Sequence, residues 1–130
     1  MNHPEADVVS KLSPRSVTAT VERLTSLIAA RDMTLFAVID QQAAAATAGL
    51  ELRATTLVIF GSPAAGTPVM AAAPLAALDL PLKVLIWDDS GRTTVSYDDP
   101  AAVAGRHHLS ADLAARLAGI GPLTDALVAP

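Results

Sequence analysis

"VIFGSPAAGTPVM", residues 58–70, decides how the chain is read. Its first residues close an apolar run, "TTLVIF" (55–60), with the length and β-branched content of a strand buried on both faces. Gly61 ends that run, and Gly66 and Thr67 follow. A phosphate-binding loop has the form G-x-x-x-x-G-K-[ST]. The two glycines meet that spacing, but Thr67 stands where a lysine would grip the outer phosphates. Pro68 also removes a backbone N–H that such a cradle would use. The segment is therefore first a sharp strand-to-helix turn, with Gly61 allowing close backbone approach and Gly66 a positive φ. The helix is expected to begin near Thr67–Pro68, with Thr67 as N-cap, and to stop at Pro74. Ligands of α/β sheets bind at the carboxyl ends of strands, and helix N-termini favour anions. Gly61, Ser62, Pro63, Gly66 and Thr67 are accordingly the candidate residues for a small anionic or apolar ligand.

Upstream, "MTLFAVID" (33–40) is apolar on both faces and reads as an interior strand. "QQAAAATAG" (41–49) reads as a short helix stopped by Gly49. "SPRSVTATVERLTSLIAARD" carries Val17, Val21, Leu24 and Ile28 at helical spacing, with Leu27 widening the stripe. Ser13 is its expected N-cap and Pro14 its first residue. "DVVSKLS" (7–13) reads as a first strand.

Downstream, "LDLPLKVLIWDDSGRTTVSYDDP" reads as a hairpin with strands near 82–87 and 93–97, turning at "DDSGR". "PAAVAGRHHL" is a short helix capped by Asp99. A last helix starts at Ser110 with Leu113, Leu117 and Ile120 on one face, and Gly119, Gly121 and Pro122 break it before its last turn. The fold class is α+β with an α/β-like start. It is a single-layer mixed sheet of about five strands covered by helices, in the order β-α-β-α-β-α-β-β-α-α.

The length of 130 residues suits one domain spanning 1–130, with 1–6 a flexible N-terminus. Aromatics are only 3% of the chain, so Leu, Val and Ile must fill the core. A net charge of −4 with no basic stripe argues against nucleic acid. The absence of cysteine excludes disulfides, thiol catalysis and thiolate metal sites. "MNHPEADVVSKLSPRS" has no signal-peptide core, and no run of ~18 apolar residues spans a membrane. Cytoplasm is the default location.

"FG-x-P-x-x-GT-x-x-M", followed by "LDLPL" and "Y-x-DP", resembles the domain of unknown function family 302, small bacterial and archaeal α/β proteins. The likeness covers residues 15–128. It implies helices on a mixed sheet and a homodimer, and no established activity. One departure is Ser62, where the resemblance leads one to expect asparagine.

Other chemistry-bearing residues have structural readings. The pairs Asp88–Asp89 and Asp98–Asp99 would lie about 30 Å apart on an extended strand, too far to share a metal. Asp79 with Asp98 or Asp99 is the alternative carboxylate cluster, although capping and turn formation explain these acids better. Adjacent His107 and His108 point apart on a helix, whereas metal-binding helices use i, i+4. There is no G-x-S-x-G nucleophile. Trp87 and Tyr97 suit a core or an interface. No cofactor and no metal is expected. The reading is a homodimeric, non-catalytic small-ligand-binding or accessory protein. The alternatives are an enzyme or anion-binding protein using the 61–67 loop, with Asp79 or a histidine as acid or base, and an interaction scaffold.

Overall fold

Five strands form one sheet in the order β1-β5-β4-β3-β2, and every neighbouring pair is antiparallel. They are β1 (Val8–Leu12), β2 (Thr34–Asp40), β3 (Thr55–Gly61), β4 (Leu82–Asp89) and β5 (Arg92–Asp98). The computed structural model describes residues 7–130, so the expected flexible stretch 1–6 lies outside the described residues. Among the described residues six helices accompany the strands: α1 (Val17–Ala30), α2 (Gln41–Thr47), α3 (Pro63–Ala72), α4 (Pro100–Arg106), α5 (Ala111–Ala115) and α6 (Ile120–Val128). A 3-10 turn covers Pro74–Leu78.

The α+β class and the five-stranded sheet with helices are as expected. The sheet is antiparallel rather than mixed, and packing after β3 explains why. Val69 of α3 buries against Ala76, Val103 and Leu117 in a small second core, apart from the main core on the sheet. The chain thus re-enters beside β3 from the end it left, and Phe60 pairs with Leu82.

α1 and α6 share one face of the sheet. Thr20, Leu24 and Ile28 recur one turn apart and are buried. They meet Val58, Phe60, Val84, Ile86 and Val95 of the sheet and Ile120, Leu123 and Leu127 of α6. Each fully buried Leu, Ile or Phe stabilises the fold by roughly 1.5–3 kcal/mol. Arg15 and Arg23 then donate to the carbonyls of Ala126, Leu127 and Ala129, satisfying acceptors that the end of α6 leaves open. Lys11 of β1 crosses to α6, reaching Thr124 Oγ1 at 2.7 Å and Asp125 at 2.8 Å above the Tyr97 ring.

Local expectations fail where the tertiary ladder competes for the same residue. Ser13 does not cap α1. Its N–H donates to Thr93 O at 2.9 Å, prolonging the β1–β5 ladder, and Ser16 caps instead through Ala19 N–H. β2 is an edge strand, not an interior one. Its apolar residues on both faces stay open, with Phe36 52% and Val38 45% exposed. The terminal helix breaks at 116–119, and Gly121 and Pro122 fall inside the first turn of α6. The hairpin is as read: Ser90 (φ 51°) and Gly91 (φ 90°) make a two-residue turn, and Asp88 Oδ1 accepts from Gly91 N–H.

Candidate functional site

The 58–70 segment is a strand-to-helix turn, but the helix starts earlier than Thr67. α3 opens at Pro63 with Ser62 as its N-cap. Ser62 is extended (φ −111°, ψ 112°), its Oγ accepts from Ala65 N–H at 3.3 Å, and its carbonyl accepts from Gly66 N–H at 2.8 Å. Pro63 then occupies the first helical position, where a missing N–H costs nothing, and two alanines follow. "SPAA" carries the same hydroxyl-residue–proline start signal as "TPVM", backed by better helix formers. Pro68 lies inside α3, where it cannot donate to the Ala64 carbonyl. Gly66 is helical, so the positive φ expected of it is absent; among the described residues only Gly49 and Gly91 of the glycines have one.

This geometry changes what the turn can do. The Ser62 hydroxyl oxygen accepts from the helix end, and its own O–H is left to donate to a ligand. Asparagine caps as well as serine, so the departure at Ser62 keeps the local structure. The turn forms one wall of an apolar pocket of about 580 Å³. Gly61, Ser62, Pro63 and Gly66 line it, and Thr67 does not: it is exposed on the outer side of α3.

The remaining walls come from distant parts of the chain. Met33 and Phe36 arrive from the start of β2, and Met70 from one turn further along α3. Leu80 and Pro81 close the side next to β4, which the antiparallel β3–β4 pairing brings to the Gly61 end. Leu117, Ile120, Pro122 and Leu123 form the roof. Arg31 and Arg116, both exposed, are the charged lining residues. At Gly61 a Cβ would stand 3.5 Å from Pro81 Cβ and 3.9 Å from Phe36 Cε2, ordinary contact, so the close backbone approach expected there is not what the position requires. No single local motif announces this set, because its members span positions 31–123.

The acidic cluster resolves differently. Asp79 takes a contact from His107 Nε2 at 2.5 Å and two from Arg106 at 3.0 and 3.1 Å. Burial pushes the Asp79 carboxyl up, but the His107 hydrogen bond and the Arg106 charge outweigh it and hold the group below its ordinary value. Asp99 Oδ1 accepts from Ala101 N–H at 3.0 Å and caps α4. Asp79 is thus bonded to Arg106 and His107 and Asp99 to the start of α4, while Asp79 and Asp98 border one small cavity. Among the described residues no group of three or more His, Asp or Glu side chains could hold a metal. His108 follows the end of α4 with φ 51° and is exposed. Tyr97 is buried in the main core, while Trp87, next to core Ile86 on β4, points to the opposite face of the sheet with its Nε1–H donating to Ser96 Oγ at 3.0 Å.

Comparison with known proteins places this geometry in a wider set. A family model described as "Domain of unknown function DUF302" matches residues 9–121. A crystal structure of an uncharacterized conserved DUF302 protein from Bacillus stearothermophilus superposes with a TM-score of 0.80. It covers 94% of this chain and 95% of the other at 16% identity, a likeness of fold. Two curated relatives are named fluoride-specific ion channel FluC 1, from Brucella suis biovar 1 (strain 1330) and Brucella abortus biovar 1 (strain 9-941). Each is 38% identical over 125 residues, covering 92% of this chain but 49% and 46% of the relatives. The chain thus spans about half the length of the curated relatives it matches. Among its described residues no helix is long and apolar enough to cross a membrane.

Proposed function

The chain belongs to the DUF302 family, and on that premise we propose that it is a homodimeric, non-catalytic module holding a small, largely apolar ligand behind the 61–66 turn. The observation that carries this reading is the pocket itself. Its volume of about 580 Å³ is in the range of small-molecule sites, and its walls are mostly apolar side chains. The same walls support the non-catalytic part of the reading: among the described residues no histidine or carboxylate lines the pocket, and Asp79 and His107 bond to each other. An environment-sensitive naphthalene dye tests the reading. Saturable binding at one dye per chain is expected, and it is lost on Gly66→Leu while the far-UV spectrum stays unchanged. Absence of saturable binding to the wild type refutes it.

The second copy fits best at β2. That edge strand exposes Leu35, Phe36, Val38 and Ile39 together, a surface soluble monomers seldom leave open. Antiparallel pairing of two β2 strands is self-complementary about a two-fold axis, as a closed dimer requires. It would also bring the partner to the pocket mouth, since Phe36 belongs to both surfaces. Sedimentation should give a dimer mass at micromolar concentration and a monomer for Val38→Lys. A monomeric wild type refutes the dimer.

The channel names of the curated relatives favour one refinement, an accessory role beside a membrane channel. Bare fluoride does not suit this apolar pocket, because stripping water from a small anion is costly. Such a role requires the protein to be retained by a detergent-solubilised fluoride channel, and free passage over the immobilised channel removes it.

A further inference from the structure

The pocket is apolar along its walls and cationic at its mouth. Arg31 and Arg116 reach it from opposite ends of the sequence, one closing α1 and the other closing α5. Among the described residues no Asp or Glu lines it, and neither arginine has an ion-pair partner there, although Asp32 and Asp112 stand close in sequence. The chain as a whole carries a net charge of −4. Two cations beside an apolar cavity, on an acidic protein, run against the overall field.

That combination selects a ligand class. A purely apolar ligand would gain nothing from the arginines. A small inorganic anion would gain nothing from Met33, Phe36, Met70 and Leu123. A molecule with an apolar body and one planar anionic end satisfies both, because a guanidinium pairs with a carboxylate through two parallel hydrogen bonds. We propose that the pocket binds an alkyl carboxylate, with its chain between α3 and α6 and its carboxylate held by Arg31 and Arg116. This rests on the small-ligand reading above and adds the chemistry of the ligand.

The test uses the full chain and a homologous series. Octanoate, decanoate and dodecanoate are titrated calorimetrically below their aggregation concentrations, beside decanol as the uncharged control. Affinity should rise about fourfold for each added methylene that stays inside the pocket. Decanoate should bind about tenfold more tightly than decanol. Arg31→Ala combined with Arg116→Ala should erase that tenfold preference, decanoate losing about tenfold more affinity than decanol. Arg92→Ala, at the distant hairpin turn, should leave both unchanged.

Equal binding of decanoate and decanol by the wild type overturns the carboxylate assignment and leaves the apolar pocket standing. A preference that survives in the double variant also overturns it, because the anion is then held elsewhere. No binding of any member of the series, alcohol included, overturns both this inference and the small-ligand reading.

Discussion

Replacing Gly66 separates the two things this glycine was expected to do. If Gly66 were kept for a positive φ, alanine there would be strained by about 1–2 kcal/mol. In the structure it lies in the first turns of α3, and its N–H donates to Ser62 O at 2.8 Å. An added Cβ meets only the Met70 Cε methyl, at 3.9 Å, which is ordinary contact. Alanine also loses less backbone entropy on folding than glycine. Gly66→Ala should therefore stabilise the protein by about 0.5–1 kcal/mol. For a chain of this size that raises Tm by about 2–5 °C. Leucine at the same position projects beside Met70 into the pocket and should block it without unfolding the helix. Thermal unfolding followed by circular dichroism, with dye titration of the same samples, measures both effects. A fall in Tm for Gly66→Ala would refute the helical placement of the 61–66 turn. Full dye binding by Gly66→Leu would refute the pocket wall.

Two other predictions concern charge and turn geometry. The Asp79 carboxyl has a folded-state pKa depressed below its ordinary value of 3.8. Its stabilisation is therefore complete above that value and is lost as pH falls through the depressed one. Urea midpoints measured on acidification below pH 4 should fall more steeply for the wild type than for Asp79→Asn, and parallel curves would contradict the Asp79–His107–Arg106 assignment. Gly91 holds φ 90° with open space around a built Cβ, so Gly91→Ala should cost about 1 kcal/mol through backbone strain alone; a neutral effect in chemical denaturation would speak against the two-residue hairpin turn.

Much of the local structure was legible in the residues themselves. The 41–49 helix with its glycine stop, the Ser90–Gly91 hairpin, and the Asp99 and Ser110 caps all depend on neighbours within a few positions. Short-range hydrogen bonds and backbone preferences decide such features, so they appear in the sequence wherever they occur. The turn at 61–66 was legible in kind for the same reason. Its helix start was misplaced by five residues because Ser62–Pro63 and Thr67–Pro68 offer similar local signals, and the two alanines after Pro63 favour the earlier one.

What remained was decided by the tertiary structure. The strand directions, the edge position of β2 and the release of Ser13 from capping are settled by which strand pairs with which. Nothing in the apolar run of β2 distinguishes an interior strand from an edge that is left open. The pocket is the clearest case. The sequence by itself pointed to one of its walls, Gly61 to Gly66, and offered anion binding as the reason. Antiparallel re-entry of β4 brought Leu80 and Pro81 to that wall, and the return of the chain through α5 and α6 supplied the roof and Arg116. Burial is a property of the space between elements, so a site built from residues 31 to 123 exists only once those elements have met.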